Sequence, residues 1–262
     1  MQITISELTI IPGLDKSGRT EYSSEITFRA GETISIVGPT GSGKTALITD
    51  IELLAQADTA TRRGILINGR VPEDEIRYNP ALKPIAMITQ NTKCFADLSV
   101  EEFLQIHARA RGIKARQVIG ETIALANNFT GEKIHKDNKV TILSGGQTRS
   151  LLIADAILIG AAPIILLDEI ENAGIFKQEV LEIIQDIGKI IVFVTHDPVI
   201  ALRTQKRIIM EHGAVKKLIC QSEIELYAAR TLMEIDRKIG VIREELRAGK
   251  MITQDLARLN LA

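Results

Sequence analysis

The chain has 262 residues and a net charge of −1, with apolar and charged fractions of 45% and 25% that sit near globular averages. These values exclude a disordered or collagen-like chain and a global basic field, so no direct nucleic-acid binding is expected. The two cysteines, Cys94 and Cys220, are too far apart for metal or redox spacing and point to a reducing compartment, the cytoplasm.

The residues from Met1 to Ile10 alternate polar and apolar side chains without a basic start, which reads as a strand and not as a signal peptide. A polar turn follows at Asp15 to Gly18. Ile26 to Phe28 and Thr33 to Val37 read as two further strands joined through Ala30-Gly31, and a helix is expected to start at Lys44. Ile65 and Ile67 lead into the turn signal Asn68-Gly69, and Ile85 to Thr89 is another short apolar strand. From about residue 91 to residue 160 the period becomes helical, with one amphipathic helix over Val100 to His107 and another over Val118 to Ala126.

After residue 160 the chain alternates strand and helix. Ile164 to Leu167, Ile190 to Thr195 and Arg207 to Met210 read as strands; Lys177 to Ile187 and a short segment after Pro198 read as helices. Such alternation predicts a mostly parallel sheet covered on both faces. The longest apolar stretch, Leu151 to Leu167, is shorter than a membrane span and is interrupted by Asp155 and Pro163, so no transmembrane segment is expected. Near the end, Leu232, Ile235, Ile239, Ile242 and Leu246 follow a coiled-coil-like 3-4 spacing. Residues 222–262 therefore read as a helical extension, packed on its own domain or, as the alternative, against a partner.

Three segments carry chemistry. Gly38-Pro39-Thr40-Gly41-Ser42-Gly43-Lys44-Thr45 follows a strand and opens a helix, the context of a phosphate-binding loop. Its glycines let backbone N–H groups face phosphate oxygens at a helix start. Lys44 then reaches the β- and γ-phosphates of ATP, and the Thr45 hydroxyl ligates magnesium. Ile164 to Leu167 is an apolar strand that ends in Asp168 and Glu169, aimed at the crevice where α/β proteins bind ligands. Asp168 suits the Mg2+ shell, and Glu169 is placed to polarise an attacking water. Leu143-Ser144-Gly145-Gly146-Gln147 precedes a long helix and forms a second anion-binding start. Two such starts for one nucleotide suggest that ATP lies between two copies.

Taken with Gln90 after a strand and His196 in Thr195-His196-Asp197, these motifs stand in the order and spacing of the ATP-binding cassette (ABC) ATPases, which residues 1 to about 221 resemble. The resemblance implies an α/β P-loop NTPase: a RecA-like parallel core, an antiparallel β subdomain and a helical subdomain inserted over about residues 91–160. It also implies an ATPase working as a head-to-tail dimer with a second cassette, expected to be a homodimer. In that arrangement Lys44 and Thr45 of one copy and Ser144 to Gly146 of the other hold each ATP. Gln90 would report on magnesium and the γ-phosphate, and His196 would orient the γ-phosphate and water.

Separate membrane permease subunits would be the partners of a transporter, and the chain would then sit at the inner membrane face. The alternative is a soluble client protein or metalloenzyme that the ATPase remodels or activates. Three positions depart from the family pattern. Ile170 to Ile175 replace the usual Pro-Thr and following loop, and Asp155 stands where an arginine is usual. The aromatic that stacks on the base is missing near Asp15 to Gly18, leaving Tyr22 as the nearest candidate.

Overall fold

A computed structural model describes residues 4–21, 24–80, 82–160, 162–173, 177–185 and 187–251. In chain order the strands are β1 (Glu7–Ile11), β2 (Ile26–Arg29), β3 (Thr33–Val37), β4 (Gly64–Ile67), β5 (Ile85–Ile88), β6 (Ile164–Asp168), β7 (Ile190–Val194), β8 (Lys206–Glu211) and β9 (Ala214–Cys220). The helices are α1 (Lys44–Leu53), α2 (Asp74–Tyr78), α3 (Val100–Ala110), α4 (Ala115–Asn128), α5 (Gly145–Leu158), α6 (Lys177–Gln185), α7 (Pro198–Arg203) and α8 (Glu223–Arg247).

The strands form two sheets. A three-stranded antiparallel sheet has the order β2-β1-β4, and a six-stranded sheet has the order β5-β6-β7-β3-β8-β9. In the larger one β5, β6, β7, β3 and β8 run parallel, and β9 returns antiparallel to β8. The apolar runs of β6 and β7 explain why these strands are central. Ile165, Leu167, Ile191 and Phe193 point into a core shared with α3, α4 and α5. Their neighbours Ile164, Leu166, Ile190, Val192 and Val194 point the other way, onto Leu47, Ile48 and Ile51 of α1 and onto the antiparallel sheet. Alternate residues thus feed opposite cores, and each fully buried Ile or Leu contributes about 1.5–3 kcal/mol.

Helix α3 starts where Ser99 and Glu102 exchange side-chain and backbone hydrogen bonds, and its Val100, Leu104 and Ala108 are buried one turn apart. Helix α8 lies against α7 with Ala229 buried. Of the expected seam, Leu232, Ile235, Ile239 and Ile242 are half-buried and Leu246 is exposed.

Several bounds differ from expectation. The first strand begins at Glu7; Ile5 is buried outside any strand, and Ile3 lies outside the described residues. Helix α6 ends at Gln185, before the expected Ile187, and the final helix starts at Glu223 and ends at Arg247. Residues 252–262, Tyr22 and residues 174–176 lie outside the described residues. Strand β9 and helix α2 were not anticipated. β9 is an edge strand carrying exposed Lys216 and Lys217, so its alternation is blurred, and α2 buries no residue that could set a period. Among the described residues no helix is long and apolar enough to cross a membrane.

Candidate active site

Strands β3, β6 and β7 are neighbours in the sheet, and each delivers chemistry from its C-terminal end. Beyond Val37, the segment Gly38 to Gly43 turns the chain into α1. Gly41 and Gly43 take φ of 77° and 100°, a backbone region that a side chain disfavours. A Cβ on Gly43 would stand 2.8 Å from the Gly213 Cα, and one on Gly38 would stand 2.4 Å from the Met210 carbonyl oxygen. The β8–β9 turn therefore forms the floor of the loop, and the Gly213 N–H donates to the Ser42 carbonyl at 2.8 Å. Pro39 and Thr40 form an exposed rim, and Lys16 Nζ donates to the Gly41 carbonyl at 2.6 Å.

Lys44 is buried, with its ammonium donating to the carbonyls of Gly38 (2.9 Å) and Pro39 (3.2 Å). These are neutral acceptors that an anion would displace, because a charge-assisted bond to phosphate is stronger. The Ser42 hydroxyl is buried with no hydrogen-bond partner, which makes it a second donor able to serve such an anion. Thr45 follows on the exposed side of the first turn of α1.

Asp168 closes β6 and is half-buried. Burial raises the pKa of its carboxyl, and Glu169 and Glu171 add to the rise, while Lys44 pulls it down. Lys44 and Asp168 thus sense each other's charge. A folded-state pKa above the ordinary value means that Asp168 favours the fold fully below pH 3.8 and loses that contribution as pH rises through its folded value. At neutral pH the ionised carboxylate is a cost. Asp168→Asn should therefore raise the Tm of the nucleotide-free protein at pH 7.5 while lowering ATP turnover. The Tm gain should shrink as the melt is moved toward pH 4.

Glu169 adopts φ 49°, an uncommon left-handed conformation for a side-chain-bearing residue, and its N–H donates to Val194 O at 2.9 Å. That turn sets its carboxylate 3.6 Å from His196 Nε2. Glu169 and His196, at the ends of neighbouring strands β6 and β7, are in this way brought together.

Gln90 is exposed just beyond β5, the strand beside β6. Its carbonyl accepts from Arg149 Nη2 of α5, so α5 is tied to the Gln90 segment. Burial depresses the Arg149 pKa. Ser144 caps α5: its hydroxyl accepts from the Gln147 N–H at 3.3 Å, and Gln147 Oε1 accepts from the Ser144 N–H at 2.9 Å. Helix α5 accordingly begins at Gly145, inside the motif expected to precede it. Gln147 Nε2 also donates to the carbonyls of Glu132 and Lys133. Among the described residues no hydrogen bond ties Ser144 to Gln147 to the Lys44 loop. Asp155, on the same helix, accepts a 2.8 Å bond from His107 Nδ1, which raises the histidine's pKa against burial.

Two groups escaped the motif reading. Glu171 sits in the turn after Glu169 and bonds the His196 segment. Arg63, fully buried, donates to Glu21, Asp50 and the Gly213 carbonyl beneath the Gly38 to Gly43 loop. A charged residue directly before a strand, as Arg63 is, was the one available signal, and it reads equally well as a solvated edge.

The profile of the ABC transporter family matches residues 23–172. An uncharacterized ABC transporter ATP-binding protein of Methanocaldococcus jannaschii is 49% identical over 96% of each chain. The thiamine import ATP-binding protein ThiQ of Mesorhizobium japonicum is 30% identical over 92% of each chain. Among solved structures, cbiO1 of Clostridium perfringens, part of an ABC transporter complex, matches with a TM-score of 0.62 at 22% identity over 92% of this chain and 100% of that one. A dimeric ATP-binding cassette in a post-hydrolysis state with ADP and Pi matches with a TM-score of 0.63 at 22% identity, covering 82% and 99%. These structural likenesses bear out the α/β P-loop NTPase fold.

Proposed function

The chain belongs to the ABC transporter family as an ATP-binding, ATP-hydrolysing cassette, and from that premise we propose that two copies close head-to-tail over ATP to energise separate membrane-spanning subunits. The observation that carries the reading is the division of the site. Lys44, Asp168, Glu169 and His196 converge, while among the described residues no hydrogen bond ties the capped start of α5 to them. A second copy supplies Ser144, Gly145, Gly146 and Gln147 to the same nucleotide.

In this reading Lys44 leaves the carbonyls of Gly38 and Pro39 for the β- and γ-phosphate oxygens, and Ser42 and the loop N–H groups complete the cradle. Glu169 and Glu171 crowd the Asp168 carboxylate against the single nearby charge of Lys44, an imbalance that a divalent cation relieves, so the donor set fits magnesium. Thr45, Gln90 and Asp168 would hold it, and when bound it neutralises phosphate charge. Glu169 takes a proton from the attacking water as the water oxygen bonds to the γ-phosphorus. The bond from the γ-phosphorus to the bridging oxygen breaks, its electron pair leaving with ADP. His196 orients the γ-phosphate and the water.

The relative named for thiamine import supports a transporter over other ATP-driven work. The test is affinity purification of the Glu169→Gln variant from its native cell, in detergent with ATP and Mg2+. Co-purification of a multi-span membrane protein is expected. Recovery of soluble proteins alone would overturn the transporter reading and favour a client that the ATPase activates.

A further inference from the structure

We propose that Glu171 is a positioning residue that holds the His196 segment at its working distance from Glu169. The geometry follows from the sheet. β6 and β7 are paired in parallel with Asp168 opposite Val194, so the turn after β6 faces the segment after β7. Buried Ile170 anchors that turn in the helical core, and Glu171 is directed across to the neighbouring chain.

Glu171 Oε1 accepts two bonds there, from Thr195 Oγ1 at 2.6 Å and from the His196 N–H at 3.0 Å. The Thr195 hydroxyl in turn accepts from the Asp197 N–H at 2.9 Å, so one carboxylate oxygen organises three consecutive residues. The His196 imidazole is half exposed and stands 3.6 Å from Glu169, longer than a good hydrogen bond. Its backbone, held by Glu171, is what fixes where the ring stands.

The second carboxylate oxygen, Oε2, is buried with no partner. A buried polar atom left unsatisfied and a third acid beside Asp168 both oppose stability, so packing alone gives no reason for a glutamate here. Only Oε1 does the bracing, and a neutral side chain with the same oxygen should serve.

The inference rests on His196 acting in hydrolysis, and the test separates the two. Steady-state ATPase rates and melting temperatures are compared for His196→Ala, Glu171→Ala, Glu171→Gln and the double variant His196→Ala/Glu171→Ala. Glu171→Ala should lower kcat by about tenfold, the worth of roughly one hydrogen bond, with KM for ATP nearly unchanged. Glu171→Gln should restore most of that loss. In the His196→Ala background, Glu171→Ala should cost nothing further, because the group it positions is gone. Equal losses in both backgrounds, or a Glu171→Gln variant as slow as Glu171→Ala, would overturn the proposal. An unchanged kcat for His196→Ala would instead remove the role of His196 and, with it, the inference built on it.

Discussion

Replacing Glu169 with glutamine should lower ATP turnover by about 10²- to 10⁴-fold, the span general-base catalysis contributes, while leaving ATP binding intact. Glutamine keeps the size and the left-handed turn of the site, and it removes only the capacity to take a proton. ATP would then persist with magnesium in the cradle, and the closed pair should accumulate on size-exclusion chromatography in ATP but not in ADP. His196→Ala should slow turnover less, since that ring orients groups and Glu169 receives the proton. A Glu169→Gln protein that turns over ATP at the parental rate would exclude the role assigned here.

The largest expected loss of stability comes from Arg63. Its Nε donates to Glu21 at 3.1 Å, its Nη1 to Asp50 at 3.0 Å, and its Nη2 to Glu21 and, at 2.6 Å, to the Gly213 carbonyl. Burial opposes its charge, yet Glu21 and then Asp50 raise its pKa further. Asp50 also accepts from the hydroxyls of Thr59 and Thr61, and Glu21 from the N–H groups of Gly13 and Val215. Arg63→Met leaves both carboxylates buried without their cation, a loss of about 3–5 kcal/mol. That corresponds to a fall in Tm of roughly 10 °C for a chain of this size. Glu21→Gln combined with Arg63→Met should recover part of it. A melting temperature within a degree of the parent for Arg63→Met would show that the cluster is not a keystone of the fold.

Much of this molecule is legible in its sequence, for identifiable reasons. The apolar runs of β6 and β7 announce strands buried on both faces, and the glycines between Val37 and Lys44 announce a turn that carries N–H groups inward. Those signals are local. Glu171 and the Arg63 cluster are not, because their meaning depends on which strands become neighbours. Ile170-Glu171 reads as a lapse from the family pattern until β7 is laid beside β6. Glu21, Asp50 and Arg63 follow no period, and only the closing of the antiparallel sheet over α1 gathers them. The Lys44 loop is read from its letters, whereas the β8–β9 turn that supports it is not.

The contact between Gly43 and Gly213 bears on how this chain can change over generations. Each occupies left-handed backbone, and their main chains meet too closely for a methyl group between them. A methyl group at Gly43 would run into the Gly213 main chain, and one at Gly213 would run into the Lys16 backbone N 2.9 Å away, so each position is closed to change for its own reason. Positions 16, 43 and 213, far apart in the gene, thus meet at one packed junction. A random library of variants should therefore return glycine at both positions, and a change at one should not make the other tolerant.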